Sequence, residues 1–171
     1  KEHEQAANDV LDHLKNISRN NANNFVEYAF DYAHAGLYEE AIQLLSIYKR
    51  NGENTLVEYY LGWLNYMAGN LQQAKEHFQH AASLSPDFVF PNKIEDVVVL
   101  QKAIALNPGD AKAYYYLGNF WFDKRQYNEA IECWEQSARI DDGFPTAYRN
   151  LSLAYYNKRN DADKALQCME K

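Results

Sequence analysis

Apolar residues recur along this chain at i, i+3, i+4 and i+7, the period of a helix that buries one face. Residues about 4–18 carry Val10, Leu11, Leu14 and Ile17 and read as one amphipathic helix. Beyond it the pattern repeats on a longer scale. Tyr60-Leu61-Gly62-Trp63 runs on to Ala68-Gly69-Asn70-Leu71-Gln72-Gln73-Ala74, then Phe78, Ala81 and Pro86. Tyr116-Leu117-Gly118-Asn119 runs on to Tyr127-Asn128-Glu129-Ala130-Ile131, then Trp134, Ser137 and Asp142. Two further copies use Phe25, Tyr28, Ala29, Tyr32, Gly36, Tyr38, Ala41 and Leu45, and then Tyr148, Leu151, Ser152, Tyr155, Ala165 and Met169. The last copy has one extra residue in its turn, at 158–163. Copies start near Ala22, Thr55, Ala111 and Pro145; the first pair of starts is 33 apart and the last pair 34.

Each copy reads as two helices joined by a turn. Gly62 and Gly118 fall on the face of the first helix that meets the second, and Ala74 and Ala130 answer them, so the helices approach closely. Phe78 and Trp134 are expected to fill the space between neighbouring hairpins. One hairpin cannot bury its own apolar face, so neighbours must stack. This pattern resembles the tetratricopeptide repeat, a helical hairpin of about 34 residues. The resemblance implies an all-α fold, a right-handed superhelix with the first helices lining its concave side. On that reading one domain divides into a leading helix (1–21), repeats at 22–54 and 55–86, an irregular half-repeat (87–110), a repeat at 111–144 and a truncated one at 145–171.

The half-repeat departs from the template. Pro86 and Pro108 each close a unit but stand 22 residues apart, about 12 short of the period. Gln101-Lys102-Ala103-Ile104-Ala105-Leu106-Asn107-Pro108 matches the end of a second helix, so a first helix is missing. Asp87-Phe88-Val89-Phe90-Pro91-Asn92 stands in its place. Pro91 favours an extended Phe90, and six or seven extended residues span about 20–23 Å, the length of a helix of about 14 residues. The segment is therefore expected to carry the chain back across the stack. Asn92 and Glu95 have capping-box spacing for a helix at about 93–106. Phe88 and Phe90 are expected to plug the gap; the alternative is that this segment forms a ligand-facing wall.

A narrower resemblance covers residues 86–171. Phe90-Pro91-Asn92-Lys93-Ile94-Glu95, Tyr115-Tyr116-Leu117-Gly118-Asn119, Asp123-Lys124-Arg125 and Arg149-Asn150-Leu151-Ser152-Leu153-Ala154-Tyr155-Tyr156-Asn157-Lys158-Arg159 look like the repeat region of large bacterial proteins that also carry an N-terminal domain of unknown function. That resemblance implies a bacterial cytoplasmic protein connected to carbohydrate metabolism. The chain starts at Lys1 rather than Met, shows no signal-peptide pattern, and stops inside a helical pattern, which reads as a piece of a longer protein.

Composition narrows the function. The 171 residues carry a net charge of −7, which repels phosphate backbones, so no nucleic-acid partner is expected. Apolar residues make up 47%, too many for a disordered chain, yet no run reaches the roughly 20 residues of a membrane helix. Cys133 and Cys168 lie 35 apart, about one hairpin, which is too far for a disulfide; reduced thiols favour the cytoplasm.

The resemblance places an aromatic, weakly charged groove on the concave side. Its expected partner-binding residues are Phe30, Tyr59, Trp63, Tyr66, Tyr115, Asn119, Phe122, Arg149 and Tyr156. Such a surface suits a protein or peptide segment, and the expected function is protein–protein interaction or scaffolding. The alternative is a structural module that docks and orients another, carbohydrate-related domain of the same protein. Some related repeats grip a chaperone's terminal carboxylate with Lys, Asn and Arg. Asn119 and Asn150 match the asparagine places, but Tyr115 stands where the first lysine belongs, so that clamp is rejected. The truncated end, with Leu151 and Ala165, invites a homodimer.

Candidates for chemistry are few. His77 and His80 stand three apart on a second helix, suited to a metal only with a third ligand, and read as a solvated convex pair. Asp141-Asp142-Gly143 lacks calcium-loop spacing and reads as a turn. Glu39-Glu40 and Lys49-Arg50 sit where the dipole of one helix favours them. No phosphate-binding glycine loop occurs. We therefore expect no catalytic residue, no metal, no cofactor and no enzyme activity.

Overall fold

The computed structural model describes residues 13–14, 16–19, 21–49, 54–87 and 89–171, and every regular element among them is helical. Residues 1–84 and 85–171 form two compact units. The first holds α1 (Ala22–His34), α2 (Tyr38–Lys49), α3 (Thr55–Met67) and α4 (Leu71–Ser83). The second holds α5 (Ile94–Leu106), α6 (Ala111–Asp123), α7 (Tyr127–Ile140), α8 (Pro145–Ala154), a π-helical turn (Tyr155–Arg159) and α9 (Ala162–Met169). Of the leading helix expected over 4–18, His13, Leu14, Asn16 and Ile17 are helical; residues 1–12 and Lys15 lie outside the described residues.

Local chemistry sets the helix starts. Asn21, Asn54 and Asp110 immediately precede α1, α3 and α6. Their side-chain oxygens accept N–H groups of Asn23 at 2.9 Å, Val57 at 3.1 Å and Ala113 at 3.0 Å. Each satisfies a donor the first turn would otherwise leave orphaned. Pro145 opens α8, where its missing N–H costs nothing.

The turns inside the hairpins share one geometry. The N–H groups of Leu37, Asn70 and Gln126 reach back five residues to the carbonyls of Tyr32, Asn65 and Trp121, at 3.0, 2.8 and 2.9 Å. This is the bond pattern of a Schellman motif. The residue before each donor is left-handed: Gly36 (φ 78°), Gly69 (φ 87°) and Arg125 (φ 62°). First-helix to second-helix starts are 16 residues apart three times (22 to 38, 55 to 71, 111 to 127) and 17 once (145 to 162). The extra residue expected at 158–163 is absorbed as the π-helical turn, a common way to house an insertion. The equivalent bond there, Asp161 N–H to Tyr155 O at 3.0 Å, spans six residues, and Asn160 takes the left-handed place at φ 52°.

Inside each hairpin a small residue faces a large one. Seven residues into the first helices stand Ala29, Gly62, Gly118 and Ser152; seven into the second stand Leu45, Phe78, Trp134 and Met169. The two glycines answer the two aromatics. A Cβ on Gly62 would lie 2.6 Å from two ring carbons of Phe78, and one on Gly118 would strike the Trp134 indole. Phe78 and Trp134 thus fill the inside of their own hairpins, not the space between hairpins that the sequence led us to expect. The bare backbone lets the ring settle into the α3–α4 or α6–α7 seam.

No helix forms between Ser83 and Ile94 among the described residues. The cap of α5 differs from expectation by one residue. Asp96, not Glu95, turns back, and its Oδ2 accepts the N–H groups of Asn92 and Lys93, each at 2.9 Å. A shorter carboxylate in the first turn reaches both donors. The plug is also corrected. Val89 and Pro91 are buried, whereas Phe90 is 74% exposed. Successive side chains of an extended piece point to opposite sides, so burying 89 and 91 turns 90 outward. Phe88 lies outside the described residues. Among the described residues no helix is long and apolar enough to cross a membrane.

Candidate protein-binding groove

The expected groove residues fall in both units and do not share one environment. In the first unit Phe30 is half-buried and stacks on Trp63 at 5.4 Å, with the rings 24° apart. Trp63 is only 8% exposed. Tyr59 is fully buried and leans on Phe78. Both therefore belong to the packing of α1, α3 and α4 and are withdrawn as contact residues; aromatic bulk on α3 is drawn into the core. Tyr66, the last residue but one of α3, is exposed.

The second unit brings its residues together. Phe90, Tyr115, Asn119, Phe122, Trp134, Arg149, Asn150 and Leu153, with Asp123, line a cavity of about 420 Å³. α6 and α8 each supply one wall, and the extended segment supplies Phe90. Phe90 thus faces this cavity rather than the core. Tyr115 meets Phe144 edge-on at 4.9 Å, and Phe122 rests 5.4 Å from the Trp134 ring. The apolar walls are thus fixed by packing rather than left to swing in solvent. Arg149 is exposed at the rim, and Asp123 is paired with Lys124 at 2.8 Å. Tyr156 is 64% exposed but does not line the cavity.

The floor is polar and oriented. Trp134 Nε1–H donates to Asn119 Oδ1 at 3.1 Å and to the Tyr115 carbonyl at 3.2 Å. An indole N–H only donates, so the Asn119 atom it meets must be the oxygen. Asn150 Nδ2 donates to the same oxygen at 3.0 Å. The chain Trp134 to Asn119 from Asn150 therefore fixes both amides. It leaves the Asn119 NH₂ as a donor and Asn150 Oδ1 as an acceptor, neither bonded to another described residue. Sequence reasoning found both asparagines but had no signal for the bond between them, which joins positions 31 residues apart.

At the rim, Lys158 Nζ stands 4.4 Å from the Tyr127 ring centre and 6.0 Å from that of Phe122. The π-helical turn carries Lys158 to this cation–π contact. A second cavity, about 320 Å³, lies against α8 and α9 and includes Pro145, Tyr148, Ser152, Leu153, Cys168 and Met169. Both cysteines are free. Burial, with Glu132 and Glu129 nearby, pushes the Cys133 thiol up to about 11, and burial also raises Cys168. Neither is an activated nucleophile. Burial raises the Tyr116 and Tyr155 phenols as well, and Glu135, which accepts the Tyr155 hydrogen bond, adds to the second.

His77 and His80 are not a solvated convex pair. Both turn toward α3, where the Glu58 carboxylate is buried. Glu58 Oε2 lies 2.8 Å from His77 Nδ1 and 3.3 Å from His80 Nδ1.

The family model for the tetratricopeptide repeat matches residues 56–88 and 111–144. A crystal structure of MamA is 26% identical, with 94% of this chain and 81% of that one covered, at a TM-score of 0.44. MamA 41-end from Desulfovibrio magneticus RS-1 is 20% identical, with 87% and 91% covered and a TM-score of 0.41. YrrB, described as a TPR protein with an unusual peptide-binding site, is 17% identical, with 94% and 89% covered and a TM-score of 0.39. Tetratricopeptide repeats are thus present at residues 56–88 and 111–144.

Proposed function

We propose that this chain is a protein-interaction module whose second unit holds an extended segment of a partner. The observation that carries the reading is the oriented Asn119–Asn150 pair on the floor of an apolar cavity. A donor and an acceptor held side by side match the C=O and N–H of a peptide main chain. Phe90, Tyr115, Phe122 and Leu153 offer an apolar socket for one side chain of that segment, and Arg149 at the rim offers a cation. A helix satisfies its own main-chain groups, so the amide pair favours an extended occupant over a helical one.

Selection of peptides from a displayed library against the intact chain tests this. Selected peptides should lose at least about tenfold in affinity against Tyr115→Ala or Asn150→Ala, as expected for a central anchor. They should also lose affinity when the amide facing Asn150 is N-methylated. Peptides that bind both variants as well as the parent chain would rule out the groove. A second reading is docking of another domain of the same protein in this groove. The exposed Phe90 favours it equally, and it predicts that a longer form of the protein fails to capture the peptides this chain captures.

A further inference from the structure

We propose that the outward face of α5 is a self-association surface, on which two copies of this chain pair through antiparallel α5 helices. Ile94, Val98, Gln101 and Ala105 are exposed there, Ile94 by 63% and Val98 by 49%. At about 100° per residue they fall within one arc of about 60° on the helix. Pro86, Pro108 and Asp142 close successive units, so this stripe can be matched place by place with other second helices. Where α5 has Ile94, Val98 and Gln101, α4 has Gln72, Glu76 and Gln79, and α7 has Asn128, Glu132 and Glu135. Those two helices are polar at every one of these places; α5 carries Ile and Val. Its inward face is apolar as well, with Val97, Leu100 and Ala103 buried. A helix that is apolar on both sides is built to be covered on both.

The stripe is complementary to itself. In an antiparallel pair the numbers of facing residues have a constant sum. Setting Ile94 against the partner's Ala105 therefore also sets Val98 against the partner's Gln101, and two-fold symmetry repeats both pairs. The bulky Ile94 meets the small Ala105, as large meets small inside the hairpins. A parallel pair would instead stack Ile94 on its own copy and leave Ala105 facing Ala105 across a gap. Charge points the same way. Glu95 and Lys102 lie on one flank of the stripe, both half-buried. Same-side flanks meet when helices run antiparallel, so each Glu95 comes beside the partner's Lys102, and this pair also occurs twice. Charges flanking an apolar helix seam set the orientation of the partner in this way. From Ile94 to Ala105 the stripe spans about 17 Å, which places the contact at the small end of protein interfaces. The dimer is therefore one that dissociates on dilution.

Sedimentation equilibrium of the intact chain, from about 1 μM to about 1 mM, tests the proposal. A monomer–dimer equilibrium is expected. Val98→Lys places a charge near the centre of the contact twice and should weaken the dimer by at least about tenfold. Glu95→Lys sets like charges side by side and should weaken it as well. Glu95→Lys combined with Lys102→Glu in one chain should restore it. Met169→Glu, on the exposed α8–α9 face, should leave it unchanged. Helical circular dichroism confirms that each variant is folded. A chain that stays monomeric throughout the range would overturn the proposal. So would a dimer that survives Val98→Lys, a dimer lost on Met169→Glu, or a paired charge reversal that fails to restore what Glu95→Lys removes.

Discussion

Gly62→Ala perturbs the small-against-large pairing inside the α3–α4 hairpin. The new methyl carbon would lie 2.6 Å from Cδ1 and Cε1 of Phe78, against ordinary carbon contacts of about 3.5–4.0 Å. Phe78 is fully buried, so its ring has no empty space to enter. Overpacking of this kind costs about 1–3 kcal/mol, and a clash on two atoms of a fully enclosed ring belongs in the upper half of that range. Alanine returns about 1 kcal/mol through helix propensity. The net expectation is a loss of about 1–2 kcal/mol. The first hairpin shows the compensated form, with Ala29 and Leu45 at the matching places and both fully buried. Gly62→Ala combined with Phe78→Leu should therefore be less destabilised than the sum of the two single changes. Urea denaturation followed by helical circular dichroism measures all four proteins. An unchanged or raised stability for Gly62→Ala, or strict additivity in the double variant, would refute the steric argument.

Further predictions rest on separate contacts. Arg125 holds the left-handed turn position that glycine fills at Gly36 and Gly69, so Arg125→Gly should raise stability by up to about 1 kcal/mol by relieving the Cβ clash, read by the same denaturation. Asp96→Ala removes the acceptor for two backbone N–H groups before α5 and should cost about 1–2 kcal/mol, the upper part of the range for a helix cap. The Cys133 thiol, pushed up to about 11, should alkylate slowly at neutral pH. Its labelling rate, followed by mass spectrometry, should climb as pH rises toward that value, because only the thiolate reacts.

The fold was legible because its signals are local. The starts of α1, α3, α6 and α8 at Ala22, Thr55, Ala111 and Pro145 coincide with those read from the repeat. Asn21, Asn54 and Asp110 cap three of them, and Pro145 opens the fourth. The inserted residue in the last hairpin was legible as a count, though not as a π-helical turn. What failed was the choice between sides. In the extended segment, 88 and 90 alternate with 89 and 91, and all four include apolar candidates, so the pattern is equally consistent with either face inward. On α3, Tyr59, Trp63 and Tyr66 are all aromatic, and only packing against Phe78 and Phe30 tells the two buried rings from the exposed one. The contact of Glu58 with two histidines, and of Asn119 with Asn150, joins residues on different helices. No periodicity within one helix announces either.

The central claim concerns the groove of the second unit, and its floor carries its own reporters. A peptide selected for binding should be titrated into isotope-labelled chain while the Trp134 indole N–H and the Asn119 and Asn150 side-chain amides are followed by NMR. Peptide binding in the groove predicts that all three move together and saturate with the affinity of the peptide. Saturating binding that leaves these three unmoved, with shifts at the α8–α9 face or in the first unit instead, would contradict it.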